Sequence, residues 1–349
     1  VWHLPGLNVV HHQGATAKTV DIARKIEFHR SMYRFFRKHR GPLKTAVLFK
    51  LNIVKSFIET AGNLALSFTA RGPDKLNKSC SILIWHILGM PRAWGLEDPA
   101  LHFQKLKSNG YTWFLPEGAT LPGQAENPRE FMESFSDTVL NRSRTTFVKT
   151  GKMDGQAIFL KRYNFKGMKD TMKNLFRKSR AKRAFEASLM LENTGIDTPD
   201  VLFACERRIC GILLESYIAT KKVAAADLVT HVQKNGCSER LIRPLARFVR
   251  RLHEMNIVHV DFKGENILVG DKTFYLIDLD RLKRVTHLNL NMIAKNLSYL
   301  NASFAREIPE KSRMLFLEEY LKGNTWLAGT GKELAEKISS EGIDVSGYC

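Results

Sequence analysis

Apolar residues recur at helical spacing twice near the start of the chain. In DIARKIEFHRSMYRFFRKH, residues 21–39, the positions Ile22, Ile26, Met32, Phe35 and Phe36 follow a helical period. Arg37, Lys38 and His39 suit the negative end of a helix dipole, and Gly41-Pro42 stops the element. A second, more apolar helix is predicted over 43–68. Val47, Leu51, Val54, Ile58, Ala61 and Ala65 form one stripe, flanked by Lys44, Lys50 and Lys55. Two readings of the stripe stay open. It packs on its own domain, or it lies on an anionic membrane surface with the lysines reaching lipid phosphates.

Gly and Pro then cluster over 89–128, which reads as a boundary of irregular chain around short elements. Beyond it the pattern changes. TTFVKTGKMDGQAIFLKRY, residues 145–163, reads as a β-hairpin turning at Met153-Asp154-Gly155, with an apolar return strand ending in Lys161. A basic stretch, 169–183, runs into a helix through about Glu192. Thr194-Gly195 ends that helix, and Pro199 begins an extended segment. Residues 209–219 resemble two short strands. Ser238 is placed to cap a helix reaching Met255. Two apolar strands follow, Asn266–Val269 and Phe274–Asp278, and then helices to the C-terminus. Strands followed by helices imply an α+β, two-lobed plan.

Charge narrows the class of partner. The 349 residues hold 54 Lys/Arg against 35 Asp/Glu, a formal net charge of +19. Residues 1–98 alone carry 15 Lys/Arg and 6 Asp/Glu. Such a balance favours nucleotides, phosphorylated glycolipids, nucleic acid or anionic membranes. The five cysteines, Cys80, Cys205, Cys210, Cys237 and Cys349, form no CxxC pair, which argues for a reducing compartment. No run of 18 apolar residues predicts a spanning helix, and the opening residues have no signal-peptide pattern. The first residue is Val1, read here as an internal position of a longer polypeptide.

The densest chemistry lies in HEMNIVHVDFKGENILVGDKTFYLIDLDR, residues 253–281. Phosphoryl transfer needs a carboxylate to take the acceptor proton, hard oxygen ligands for Mg²⁺, and a lysine on the phosphates. Asp261 fits the first role. Asn266, five residues on, and Asp278, at the end of an apolar strand, fit the second. Lys161 fits the third. Lys263, two residues after Asp261, resembles a protein-kinase habit, and that likeness implies that it neutralises the transferred phosphate. Four polar residues in this order, bounded by apolar strands, favour an enzyme over a non-catalytic module that uses its charge on nucleic acid.

This segment resembles the catalytic and metal-binding loops of the protein-kinase-like fold. LIDLDR, residues 276–281, resembles the string of the Kdo/WaaP lipopolysaccharide kinase family in particular. SRAKRAFEASLMLENTGIDTP (179–199), LESYIA (214–219) and AADL (225–228) extend the likeness over roughly 135–322. The resemblance implies ATP and Mg²⁺ as cofactors and a heptose or Kdo hydroxyl of lipopolysaccharide core as acceptor. A protein or small-molecule kinase is the alternative, which Lys263 favours; an accessory or pseudokinase module is another. The resemblance also implies adenine contacts to backbone over Glu215, Ser216, Tyr217 and Ile218. It implies a cytoplasmic protein, placed at the cytoplasmic face of the inner membrane. Two departures stand out. There is no Gly-x-Gly-x-x-Gly loop, and Ala184 occupies the place of the glutamate expected to pair with Lys161, leaving Glu186 as the nearest candidate.

VWHLPGLNVVHHQGAT (1–16) and EFHRSMYRFFRKH (27–39) resemble the C-terminal end of family-2 glycosyltransferases of the GT-A type. The resemblance makes His11 or His12 a metal or diphosphate contact. It divides the chain into a glycosyltransferase remnant over 1–98, a boundary over 99–134, and a kinase-like domain over 135–349 with lobes meeting near 216. The Asp-x-Asp metal motif and nucleotide-sugar subdomain have no counterpart here, so this segment is not expected to transfer sugar.

Overall fold

The computed structural model describes residues 21–69, 72–90, 101–135, 139–142, 146–164, 177–209, 212–271, 273–304, 308–322, 329 and 331–340. His11, His12 and the larger part of the basic stretch 169–183 lie outside the described residues. The chain divides into two compact units. One gathers Val1–Pro99, Gly167–Lys178 and Arg208–Leu213; the other gathers Ala100–Lys166, Ser179–Arg207 and Leu214–Cys349.

The first unit is helical where it is described. Helix α1 runs Asp21–Ala65 and is bent at Gly41, whose φ of 83° breaks the helical run just before Pro42. The two predicted helices are therefore two arms of one bent element, because Gly adopts positive φ without a Cβ clash. Helix α2 runs Gly72–Ile87. Ile26, Tyr33, Ile82 and Trp85 are buried together between the elements. His86 sits in the same place. Its Nδ1 donates to the Ile82 carbonyl at 2.9 Å, so its Nε2 accepts from the Tyr33 hydroxyl at 2.9 Å. Burial pulls the neighbouring His29 down to about 4.

The second unit begins with strands β1 (Phe103–Ser108) and β2 (Tyr111–Pro116), a short helix α3 (Pro128–Glu133), and strand β3 (Val139–Arg142). Then come β4 (Thr146–Met153), β5 (Gln156–Tyr163), helix α4 (Arg180–Glu192), β6 (Val201–Ile209) and β7 (Ile212–Lys221). The seven strands form one sheet in the order β1-β2-β6-β7-β5-β4-β3. The stretch expected to be a boundary thus contributes sheet strands, with Trp113 and Leu115 fully buried. Among its described residues, Gly110 turns β1 into β2 at φ 78° and Pro128 opens α3. Where two short strands are expected over 209–219, Ile209 ends β6 and residues 212–219 lie within the longer β7 beside it.

Hairpin β4–β5 turns on Asp154 and Gly155, both at positive φ (49° and 79°). Two such residues make the turn whose twist matches antiparallel strands.

The remainder is smaller strands among helices. Strand β8 (Ala226–Asp227) leads into α5 (Leu228–Asn235), whose Thr230 amide is capped by Asp227 at 2.9 Å. Helix α6 (Glu239–Glu254) follows, then β9 (Ile257–His259), β10 (Ile267–Val269), β11 (Phe274–Leu276) and β12 (Leu282–Arg284). Helices α7 (Leu290–Ala302), α8 (Glu310–Leu321) and α9 (Gly331–Ser340) complete the described part. Strands β11, β10 and β8 form one small sheet, and β12 pairs with β9 in another. These two ladders fix the loops between β9 and β10 and between β11 and β12.

Candidate active site

Alternation along the strands of the large sheet decides which side chains can meet. On β5, Ile158 and Leu160 enter the core on one side with Trp113 and Tyr217. Phe159, Lys161 and Tyr163 point to the other side. There a cleft of about 550 Å³ is lined by Val148, Phe159, Lys161, Arg180, Ala184, Ile218, Asp261, Asn266 and Asp278, among others. Lys161 lies 100 residues before Asp261 in sequence, yet the sheet and the loops bring both to one cavity.

The Lys161 ammonium pairs with the Asp278 carboxylate. Burial pushes the Asp278 acid up, but the Lys161 charge and hydrogen bond overcome it and bring the group down to about 2. Asp278 has φ 58° and ψ 43°, a left-handed conformation unusual for a residue with a Cβ. Neighbours hold it there. The Asp278 carbonyl accepts from His259 Nε2 at 3.1 Å, and the preceding Ile277 amide donates to the Asn266 carbonyl at 2.9 Å. Because a carbonyl only accepts, Nε2 carries the proton. Burial keeps the His259 ring neutral against the pull of Asp278 and Asp261.

Asn296, on α7, brackets His259 from behind. Its Oδ1 accepts from the His259 amide at 3.3 Å and its Nδ2 donates to the His259 carbonyl at 3.0 Å. His253 continues the network, with Nε2 3.4 Å from Asn296 Oδ1 and Nδ1 2.8 Å from the Tyr320 hydroxyl. Burial draws His253 down to about 4, so it stays neutral near pH 7.

On the loop after β9, Asn266 Nδ2 donates to the Asp261 carbonyl at 2.8 Å. That bond assigns the amide orientation and leaves Oδ1 as the acceptor end. Lys263 Nζ stands 3.3 Å from Asp261 Oδ1. Gly264 admits no side chain, since a Cβ would meet Phe304 at 2.6 Å and Val229 at 2.8 Å. Its amide donates to Ser303 Oγ at 3.0 Å.

The Gly195–Pro199 turn clamps the strand that delivers Asp278. The Leu276 amide donates to the Asp197 carbonyl, and Thr198 Oγ1 donates to the Leu276 carbonyl, both at 2.9 Å. Thr273 Oγ1 adds a bond to Asp197 Oδ2 at 2.6 Å.

Glu186 lies 4.0 Å from Lys182 Nζ, one turn away on α4, whereas Lys161 is held by Asp278. Asp280 accepts from Arg180 Nε at 2.7 Å. Arg183 stands 3.8 Å from it. Arg180 also lies over the Tyr163 ring, 4.6 Å from its centroid. Sequence reasoning missed this pairing and the Asn296 bracket. The basic run at 179–183 was visible, but its acid was 100 residues away.

The four positions expected to meet adenine lie within β7, between β6 and β5. Ser216, Tyr217 and Ile218 stand opposite Tyr163, Arg162 and Lys161 in the ladder. Backbone groups so placed belong to the sheet. Only Ile218 of the four lines the cleft. Tyr217 is fully buried and donates to Glu215 Oε2 at 2.7 Å, and Glu215 also pairs with Arg207 at 2.6 Å. Burial pushes the Glu215 acid up, but the Tyr217 and Tyr111 hydroxyls, with Arg207, bring it below its ordinary value. Past the end of β7, Val223 and Ala225 line the cleft.

The donor set suits a small hard cation. Asp278 offers a carboxylate and Asn266 an amide oxygen, and Mg²⁺ commonly takes one or two such groups and completes its shell with phosphates and water. Among the described residues no group of three or more His, Cys, Asp or Glu is assembled for a metal.

Comparison with known proteins identifies the family. The model of the lipopolysaccharide kinase (Kdo/WaaP) family matches residues 133–320, more than half of the chain. A 3-deoxy-D-manno-octulosonic acid kinase of Vibrio cholerae is 28% identical over 145 residues, covering 41% of this chain and 60% of that protein. One from Vibrio parahaemolyticus is 24% identical over 209 residues, covering 58% of this chain and 87% of that protein. A solved structure described as WaaP in complex with acyl carrier protein covers 61% of this chain and 92% of its own, at 20% identity and a TM-score of 0.43. The family match spans the strand that carries Lys161, the clamp at Asp197–Thr198, and both loops that deliver Asp261 and Asp278, and by it the chain belongs to the Kdo/WaaP lipopolysaccharide kinase family.

Proposed function

We propose that the chain is an ATP- and Mg²⁺-dependent phosphotransferase acting on a sugar hydroxyl of lipopolysaccharide core. The observation that carries the reading is the convergence of Lys161, Asp261, Asn266 and Asp278 on one cleft. Of the two acceptor sugars expected, Kdo is favoured, because the V. cholerae and V. parahaemolyticus relatives are named as kinases of that sugar.

In this reading the acceptor oxygen bonds to the γ-phosphorus, the bond from that phosphorus to the β,γ-bridging oxygen breaks, and ADP leaves. The hydroxyl proton passes to an Asp261 carboxylate oxygen. Lys263, 3.3 Å from Asp261, steadies that carboxylate and adds positive charge beside the transferred group. Lys161 binds phosphate oxygens, and Asp278 and Asn266 would hold Mg²⁺, which supplies charge neutralisation on the phosphates. Nucleotide entry then replaces the Lys161–Asp278 pair, with each partner taking an opposite charge from the ligand. Adenine meets backbone over Lys222–Ala225, past the end of β7, rather than at Glu215–Ile218. Glu186 supports Lys182.

The first 98 residues are proposed as the end of a glycosyltransferase fused to the kinase. The motif at 27–39 lies on α1, and sugar-nucleotide hydrolysis by a longer polypeptide carrying this segment tests the fusion. The acceptor is tested by supplying labelled Mg·ATP with dephosphorylated core ending in Kdo, core ending in heptose, and a generic protein substrate. Label on the Kdo-terminated core alone supports the reading. Label on protein alone replaces it with a protein kinase.

A further inference from the structure

The second arm of α1, after the bend at Gly41, is built inside out. Its side towards α2 carries Asn52, Ser56, Thr60 and Asn63, with Leu48 and Phe49 packed on the unit's small core near the bend. Ser56 is buried, Asn63 Nδ2 donates to Ser79 Oγ of α2 at 3.1 Å, and Asn52 Nδ2 donates to its own helix at 3.0 Å. The opposite side is apolar and open. Leu43, Val47, Leu51, Val54, Phe57, Ile58 and Leu64 are each more than half exposed, and Phe68, just past the helix end, is 97% exposed. At 100° per residue Leu43, Val47, Leu51, Val54 and Ile58 fall within about a quarter-turn of one another. A solvated helix places these two kinds of residue the other way round. Contiguous exposed apolar surface of this extent marks an interaction face.

The charges say what covers it. Lys44 and Lys55 stand along one edge of the stripe and Lys50 interrupts the other. From 43 to 68 there is one acid, Glu59, which pairs with Lys55 at 3.8 Å. Over all of α1 there are ten Lys or Arg against three Asp or Glu. A second copy of so basic a surface is repelled, and nucleic acid has no use for the leucines. No described helix is long and apolar enough to cross a membrane.

We propose that the exposed face of the second α1 arm is a docking surface for an anionic lipid bilayer. The helix lies in the plane of the interface, with Val47, Leu51, Val54 and Ile58 sunk among the acyl chains and the lysines on lipid phosphates. The arm runs about 36 Å, long enough to engage many headgroups at once. This stands independently of the kinase reading, since it rests on residues of the other unit. If the kinase reading also holds, the docked chain meets an acceptor that is itself part of a lipid.

The test is co-sedimentation of the full chain with vesicles of phosphatidylcholine and phosphatidylglycerol in about 3:1 ratio, against phosphatidylcholine alone, at low and moderate salt. Binding to the anionic vesicles, weaker on neutral ones and reduced by salt, is expected. Leu51→Glu with Ile58→Glu should lower partitioning at least tenfold. Lys44→Glu with Lys50→Glu and Lys55→Glu should lower it about 100-fold, from roughly fivefold per lost basic contact. All five side chains are outside the unit's core, so unchanged melting and ATP binding show that the variants fold. No sedimentation of the unaltered chain with anionic vesicles overturns the proposal. So does binding that survives the Leu51/Ile58 change. A lipid-independent dimer dissolved by that change, with no vesicle binding, assigns the face to a second copy.

Discussion

Helix α6 and the second arm of α1 both carry a continuous apolar stripe, and they dispose of it in opposite ways. On α6, Leu241, Leu245, Ala246, Val249 and Leu252 are buried in the main core, and Ile242 is buried as well. Its outward arginines are tied down, Arg243 and Arg247 both reaching the buried Glu319 of α8 at 3.2 and 2.7 Å. On the α1 arm the apolar side faces out and the amides and hydroxyls face in. An apolar stripe therefore specifies that something covers it, and not that the same chain does. The kinase-like unit pairs charges of its cleft internally, Lys161 with Asp278 and Arg180 with Asp280; the α1 arm leaves its apolar surface exposed.

The contrast can be broken by substitutions in each region. The largest effect belongs to the cleft. Asp278→Ala or Lys161→Met should lower kcat/KM at least about 10²-fold in steady-state phosphate transfer, the scale for removing a group aimed at transition-state charge. Leu51→Glu should leave transfer to a soluble acceptor unchanged. In denaturant titrations Leu245→Ala on α6 should cost about 2–5 kcal/mol, as buried leucine truncations do. Asp280→Ala should cost about 3 kcal/mol, because it strips the acid from a buried ion pair and leaves Arg180 uncompensated. Leu51→Ala on the arm should stay within about 0.5 kcal/mol.

A pH series sharpens the same contrast. His253 titrates near 4 when folded and near 6.5 when unfolded, because burial disfavours its charged form. Its stabilising contribution is full above pH 6.5 and is lost as pH falls to 4, about 3 kcal/mol in all. His253→Gln should flatten that part of the curve. Asp278, held at about 2 by Lys161, loses its contribution only below about pH 4, where the unfolded acid begins to take up protons. Stability measured from pH 8 to 3 should therefore fall in two stages.

What the sequence disclosed follows from range. The Asp261–Asn266–Asp278 spacing is local, bounded by apolar strands, and readable as a constellation. The β4–β5 hairpin was equally plain, because Asp154-Gly155 is a turn signal between alternating strands. The partner of Asp280 was not readable, since Arg180 lies 100 residues away and only folding selects it over the adjacent Arg281. The proposed shift of the adenine edge beyond Glu215–Ile218 rests on β7 continuing to Lys221 as an interior strand, a length the sequence pattern did not show. The Gly and Pro residues of 89–128 suggested a boundary because they report turns, and a sheet edge needs turns as much as a linker does. For the α1 arm, periodicity found the stripe and could not say which side faces α2. Asn63 and Ser56 facing inward settle that only in three dimensions.

The measurement that bears most directly on the account is phosphate transfer from labelled Mg·ATP to dephosphorylated lipopolysaccharide core, compared between the unaltered chain and Asp261→Asn. Asn keeps the shape of the side chain and the Asn266 bond to the backbone carbonyl of residue 261, but cannot take the acceptor proton. Transfer by the unaltered chain, falling at least about 10²-fold in the variant while ATP still binds, is the predicted result. Equal transfer by both, or ATP binding with no transfer to any sugar acceptor, would contradict it.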